Sequence, residues 1–351
     1  MSRYRGSSLI IVGAAFLALG NMPCPGRSDL PVPPGGGVPR PSGPPGNLRV
    51  VDWAGFHGAV SYTFDDSQPS QIEHYAELQA AGVPMTFYLS SGWGGAPEYD
   101  ATWKQAVIDG HEIANHTVHH CRADLTGCAI GTPAASPLAE IDDNTAYIKE
   151  HTGQLEVTTM ASPFGDAAWD AFAQQRFFLH RDVFQGMVAP NDETDPFHLP
   201  CYMAGAPEFG GIDAMESTFD GLIDDAQAKH TWLIFLFHTI MPTTNNWFGP
   251  VDIGAITGSM SHAKAPGDVW IDTLSNIGAY WRAQKLFSTL TPVTKHGVMT
   301  WTWTLPPHFP AGKFLRVTVD GGTLSQRGQR LVWDEHGYYE VALDAGSLVL
   351  S

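Results

Sequence analysis

The chain has 351 residues, 43% of them apolar, enough for one large domain plus a small one with a substantial core. Its formal net charge is −17, from 19 Lys and Arg against 36 Asp and Glu. That balance, with no basic run to offset it, argues against electrostatic binding of nucleic acid or of an anionic membrane.

The first 24 residues, "MSRYRGSSLIIVGAAFLALGNMPC", read as an export signal over residues 1–20. Arg3 and Arg5 form the basic end, "LIIVGAAFLAL" is too short for a comfortable membrane span, and the small residues Ala18 and Gly20 place cleavage near Asn21. The expectation is a protein exported to the periplasm or the exterior, with no transmembrane span after cleavage. Cys24 lies near where a lipidated cysteine would stand, but "NMPC" lacks the small-residue context for it. Residues 21–48 hold nine Pro and six Gly and predict an extended, mobile linker.

From residue 49 strand and helix patterns alternate. "GAVSYTF" (58–64) predicts a strand and "PSQIEHYAELQAAG" (69–82) a helix. "VPMTFYL" (83–89) is strand-like, 98–110 helical, and "HEIANH" extended. Residues 136–153 open on Ser-Pro, close on Gly153, and carry Leu138, Ile141, Thr145 and Ile148 at helical spacing. "LEVTTMASP" and the apolar "TWLIFLFHTI" (231–240) predict strands, the second buried on both faces. Residues 267–284 predict a final helix. This alternation implies a parallel sheet, open or closed as a barrel, over residues 49–290. Residues 291–351 lose the helical period and predict a small β-sandwich-like module.

Three motifs carry chemistry. "TFDD" puts Asp65 and Asp66 at the C-terminal end of a strand, the edge where parallel α/β folds build ligand sites. On their own they also suit a turn or helix cap. In "GHEIANHTVHHC", "HEIANH" is one residue too long for a metalloprotease helix, and its histidines would lie about 140° apart. His116 and His120, four apart, suit a divalent ion, with His119 a rival for either. His238 closes the buried run "LIFLFH"; alone it reads as a satisfied core histidine. No G-x-S-x-G elbow and no phosphate loop occur.

Taken together, "TFDD", "HTVHH", "SPFGD" and "IFLFH" resemble the polysaccharide deacetylase family, the carbohydrate esterases with a NodB-like domain, over roughly residues 55–290. The resemblance implies an irregular (β/α) barrel, here followed by the small all-β module. It implies that Asp66, His116 and His120 hold one divalent ion, Zn²⁺ by default, with Co²⁺, Ni²⁺ or Mn²⁺ able to occupy such a site. It implies Asp65 as the general base, His238 as the acid for the leaving group, and Phe164 as the backbone donor to an oxyanion. Pro163 and Gly165 would shape that loop; Asp166 equally suits an ordinary turn.

The sequence departs from the family pattern in three places. Ala161 stands where an Arg normally orients the base, and Arg181 is the candidate substitute. No Asp-xx-Asp-Trp element supports His238, leaving Asp182, Asp192 and Asp195 as candidates. Cys121 follows His120 where Pro is usual; a bridge to Cys128 would fix that loop, and Cys201 could compete for either partner. Trp93 and Trp247 are candidates for stacking on sugar rings, and Trp270 for packing. The implied activity is removal of N- or O-acetyl groups from an acetylated polysaccharide or oligosaccharide. The alternatives are a catalytically impaired carbohydrate-binding protein on the same scaffold, or an amidase acting on a non-sugar substrate.

Overall fold

A computed structural model describes residues 28–94 and 100–351. The expected leader, its cleavage point and Cys24 lie outside the described residues.

The chain is a mixed α/β protein whose parallel sheet curls into an irregular barrel, with two further β-sheets at its C-terminal end. A short strand β1 (Arg49–Val50) precedes the barrel strands β2 (Gly58–Phe64), β3 (Thr86–Leu89), β4 (Glu112–Asn115), β5 (Thr159–Ala161), β6 (Leu179–Arg181), β7 (Tyr202–Met203) and β8 (Trp232–Phe237). Two-residue strands β9 (Ile240–Met241) and β10 (Val251–Asp252) pair with each other, and β11 (Val269–Ile271) rejoins the barrel beside β2. The helices are α1 (Pro69–Glu73), α2 (Tyr75–Ala80), α3 (Ser91–Gly94), α4 (Asp100–Ile108), α5 (Pro137–Thr152), α6 (Asp170–Ala173), α7 (Glu216–Lys229), α8 (Ile253–Lys264) and α9 (Leu274–Ser288).

The barrel strands run in the order β6-β5-β4-β3-β2-β8-β7. Every residue of β2 and β8 is buried, because helices cover one face and the interior the other. The ring closes imperfectly. The Asp182 N–H donates to Leu199 O at 2.9 Å and the Leu199 N–H to His180 O at 3.1 Å, and Leu199 leads directly into β7.

Local signals place the helix ends. The Ser136 side chain accepts from the Ala139 N–H, Pro137 opens α5, and Gly153 stops it at φ 81°. The helix expected over 69–82 is two short ones meeting at His74. The helix expected over 267–284 is corrected: Val269–Ile271 is strand β11 and the helix begins at Leu274. β-branched and aromatic side chains pair there with β2, and the Thr273 side chain then caps α9 by accepting from the Asn276 N–H. Helix α8 was not anticipated; its Gly- and Ser-containing sequence gives a weak period.

After α9 come β12 (Val293–Lys295), β13 (Val298–Thr302), β14 (Phe314–Thr318), β15 (Leu324–Gln326), β16 (Gln329–Arg330), β17 (Trp333–Asp334), β18 (Tyr338–Ala342) and β19 (Ser347–Leu350). They form a four-stranded sheet, β1-β14-β18-β17, and a five-stranded one, β12-β13-β19-β15-β16. One core runs through both parts: Trp232, Trp281 and Phe287 pack in the same cluster as Trp301, Leu315, Val317 and Leu348.

Residues 28–48 are extended but not detached. The Gly43 N–H donates to Asp320 O, the Val38 N–H to Glu335 O, and buried Arg316 donates to the carbonyls of Leu30, Pro31 and Ala54. The expectation of a mobile linker is therefore corrected for these residues. Proline-rich backbone leaves its polar groups without local partners, and the C-terminal part supplies acceptors at Asp320 and Glu335 and a donor at Arg316.

Candidate metal and catalytic site

Strand register brings the motif residues together. Phe64 pairs with Phe87 and Phe237, Leu89 with Asn115, Asn115 with Met160, and Ala161 with Arg181. The residues just beyond these pairs, Asp65, His116 and His238, therefore emerge at one rim of the barrel.

Asp65 continues β2, its N–H donating to Phe237 O at 3.0 Å. Asp66 then turns into the left-handed region at φ 73°, followed by Ser67 at φ 53°. That turn sends adjacent carboxylates to different partners. Asp66 Oδ1 lies 3.3 Å from His116 Nε2 and 3.2 Å from His120 Nε2. Asp65 takes both oxygens to the Arg181 guanidinium, with Oδ2 at 2.6 Å. Both carboxylates are buried.

His116 Nδ1 donates to Ala161 O at 3.0 Å, which leaves its Nε2 lone pair aimed at Asp66. His120 is held by a backbone bend, with Thr117 at φ 63° and His120 itself at φ 49°. Glu140, fully buried on α5, accepts from the Val118 and His119 N–H groups and from His119 Nδ1. This fixes the ligand loop and removes His119 as a rival ligand. The Cys121–Cys128 disulfide closes the same loop, and Cys201 is free and buried.

The donor atoms of Asp66, His116 and His120 lie within 4.8 Å of one another. Asp66 Oδ1 is buried without any hydrogen-bond donor among the described residues. A buried carboxylate oxygen facing two imidazole lone pairs at 3.2–3.3 Å needs positive charge between them, so these residues fit one divalent cation. Burial raises the Asp66 carboxyl, but His116, His120 and His238 outweigh it and hold it well below its usual range. Burial lowers the His116 imidazole, and Asp65 and Asp66 outweigh that and raise it.

Arg181 occupies the place that the sequence left open at Ala161. The two residues are register partners on β5 and β6, so a guanidinium on either strand points to the same part of the barrel. Arg181 is fully buried, lies 5.0 Å from the Tyr88 ring centroid, and donates to Asp182 O. Burial works against its charge, and the Asp65 carboxylate outweighs burial and raises its pKa. Tyr88 gave no sign in the sequence beyond its place at a strand end.

His238 Nε2 stands 4.0 Å from Asp66 Oδ2, its ring edge-on to Phe248 at 4.8 Å. Burial pushes its imidazole below the ordinary value. Its Nδ1 has no hydrogen-bond partner among the described residues, and the three aspartates considered for it lie against other groups. Asp182 accepts from Val183 N–H and faces His198, Asp192 accepts from the Ala189 and Thr194 N–H groups, and Asp195 from Phe197 N–H. His238 is instead placed through its backbone: its carbonyl accepts from Gln71 Nε2, which also donates to Asp65 O. Gln68 donates to Asp66 Oδ2 and accepts from Thr239. These two glutamines were missed by sequence reasoning; their spacing from the aspartates was the available signal.

Around this centre, the Phe164 ring lies 4.5 Å from His120, with Phe164 at φ 58° and half exposed. Pro163 is buried, and Gly165 adopts φ 61° where a Cβ would come 1.9 Å from Val183. Asp166 is a turn residue accepting from the Ala123 and Ala168 N–H groups. Trp93 is 5.0 Å from the His120 ring and 5.5 Å from Trp247, so both tryptophans border the cation site, while Trp270 is core.

Residues 57–177 match the family model described as polysaccharide deacetylase. No curated protein matches the chain. Similar solved structures include the T48 deacetylase with substrate, at 19% identity over 65% of this chain and 94% of that one, TM-score 0.43. The Xyl-CE4 domain of a multidomain xylanase from the hindgut metagenome of Trinervitermes trinervoides is similar at 17% identity over 63% and 89%, TM-score 0.41. The peptidoglycan deacetylase PdaC from Bacillus subtilis is similar at 16% identity over 63% and 89%, TM-score 0.40.

Proposed function

We propose, from the match of residues 57–177 to the polysaccharide deacetylase family model, that the chain belongs to that family and is an exported, divalent-metal-dependent hydrolase that removes acetyl groups from an acetylated polysaccharide or oligosaccharide. The observation that carries this reading is the division of labour between the two aspartates: Asp66 faces two imidazoles, while Asp65 is clamped by Arg181 outside that cluster.

Asp66, His116 and His120 would hold the ion, Zn²⁺ by default for two imidazoles and a carboxylate. When bound, a divalent ion there supplies a Lewis acid that acidifies water and polarises an acetyl carbonyl. The chain's own residues do the rest. Asp65 accepts the proton of the attacking water at a carboxylate oxygen. Arg181 donates to both Asp65 oxygens and fixes the carboxylate's orientation, which Ala161 cannot do. The Phe164 N–H, on the left-handed turn, donates to the developing oxyanion. His238 Nε2 donates a proton to the leaving amine or alcohol. Trp93 and Trp247 offer faces for sugar rings beside the reacting centre.

The Arg181–Asp65 pair also weighs against a catalytically impaired binding protein, since the tether that seemed missing is supplied from the next strand. The Cys121–Cys128 disulfide supports an oxidising compartment and hence export. Among the described residues no helix is long and apolar enough to cross a membrane. The test is acetate release by metal-stripped and metal-restored protein across chitin oligomers, acetylxylan and peptidoglycan, with small acetamides as the non-sugar control. Metal-dependent release from a glycan is expected; release from acetamides alone would favour the amidase reading, and none at all the binding protein.

A further inference from the structure

A second cluster of metal-ligating groups lies behind strand β6, on the side opposite Arg181. Because side chains alternate along a strand, His180 and Asp182 point away from the barrel interior into which Arg181 points. There they meet Asp170 of α6 and His198 of the loop that returns to β7. Donor atoms of Asp170, Asp182 and His198 lie within 4.8 Å of one another.

The protons available do not satisfy these groups. His198 Nδ1 lies 3.2 Å from Asp170 Oδ2, where it makes a hydrogen bond, and 2.9 Å from Asp182 Oδ2, where it makes none. His180 Nδ1 bonds Phe197 O at 3.0 Å, and its Nε2 faces the Ser162 hydroxyl at 2.9 Å. Asp170 Oδ1, also 3.0 Å from His180 Nδ1, therefore receives no hydrogen bond. Each carboxylate thus keeps one oxygen, Asp170 Oδ1 and Asp182 Oδ2, shielded from water and without a hydrogen-bond donor among the described residues, and the Asp182 side chain is only 3% exposed.

We propose that Asp170, Asp182 and His198 form a second divalent-cation site, separate from the one at Asp66, His116 and His120. Two carboxylates and one imidazole suit a first-row divalent ion such as Zn²⁺ or Mn²⁺. Asp170 and His198 are partly exposed, at 30% and 40%, so the remaining coordination positions open to water and an ion can enter. Phe184 stacks on His198 at 4.6 Å and fixes the imidazole plane.

The three residues come from three separate pieces of chain, and they meet where the barrel ring closes. Asp182 and Leu199 exchange a backbone bond at that seam, and Arg181, the clamp on Asp65, is the preceding residue. A cation here staples α6 and the 195–199 loop to the end of β6. Its role is structural: it holds the seam and, through it, the backbone that carries Arg181.

The full chain, stripped with chelator, loaded with Zn²⁺ and dialysed, is assayed for zinc per chain as parent, Asp170→Asn, His198→Ala and His120→Ala. The expected ratios are two for the parent and one for each variant. A second readout is the melting temperature of the His120→Ala protein, which rises on adding Zn²⁺ alone and no longer does so when Asp170→Asn is added. Unchanged zinc in both Asp170→Asn and His198→Ala, or no zinc in His120→Ala, overturns the second site. Unchanged zinc in His120→Ala with loss in the other two variants instead overturns the site proposed for catalysis, so the two failures are distinct.

Discussion

Asp65 and Asp66 differ in what they touch because the backbone changes hand between them. A residue at φ 73° cannot continue a strand, so the second carboxylate leaves the direction of the first. The pair, the two histidines and His238 were legible as motifs, since chemistry of this kind needs particular residue types at short spacings. Glu140, Tyr88, Gln68 and Gln71 were not, because their partners lie across the barrel or in backbone groups that no side-chain pattern announces. Rejection of His111 as a ligand has a measurable counterpart. Its Nδ1 accepts from the Met85 N–H, its Nε2 faces Gln79 Oε1, and burial pushes the imidazole down to about 4. The folded state therefore binds its proton later than the unfolded chain does, so its contribution to stability is complete above about pH 6.5 and is lost as pH falls toward 4. That contribution is about 3 kcal/mol at most. Denaturant unfolding from pH 7 to pH 4 should show a smaller acid loss in His111→Gln than in the parent; equal losses would show that the buried ring is not responsible.

At the scale of elements, the Arg181–Asp65 pair shows that register, not sequence position, decides which side chain meets Asp65. Ala161 and Arg181 are 20 residues apart in the chain but neighbours across β5 and β6. A motif search reads the first as a loss; the sheet reads the second as its replacement. Arg181→Ala should cost about 3–5 kcal/mol of stability, because it leaves Asp65 buried without its counter-charge. Adding Ala161→Arg to that variant should recover part of the stability and of the acetate release. No recovery in either measurement would mean that the two strand positions are not interchangeable. The turn that carries Phe164 makes a second test. Gly165→Ala places a Cβ against Val183 and an L-residue at φ 61°. Its expected cost is about 1–3 kcal/mol in unfolding free energy, with lower kcat as Phe164 shifts. Wild-type stability in that variant would contradict the clash. The elements most clearly read from sequence are β2 and β8, from unbroken β-rich or apolar runs, and α5, from its helical spacing and its Ser136 and Gly153 ends. The helix expected at 267–284 failed because β11 and α9 are separated only by Asp272 and Thr273, a strand-to-helix passage hidden inside one apolar run.

On the scale of the whole molecule, the barrel and the C-terminal sheets share one core, and residues 28–48 are bonded along those sheets. Composition could not show this. Nine prolines and six glycines read as a linker until Arg316 and the backbone of residues 320 and 335 are seen to pair with it. Deleting residues 291–351 should expose Trp232, Trp281 and Phe287 and give an aggregated product with no turnover on soluble or insoluble substrate alike. A soluble deletion product that fails only on insoluble glycan would make the module a targeting device instead. The central claim is that one cation is held by Asp66, His116 and His120 while Asp65 acts beside it. The most direct measurement is acetate release and bound zinc in the same preparations of parent, Asp65→Asn and His120→Ala. Asp65→Asn should keep its zinc and lose turnover by about 10²–10⁴-fold, while His120→Ala should lose both catalytic zinc and turnover. Turnover within a few-fold of the parent in Asp65→Asn, or full turnover from protein without zinc or any other divalent ion, would contradict the account.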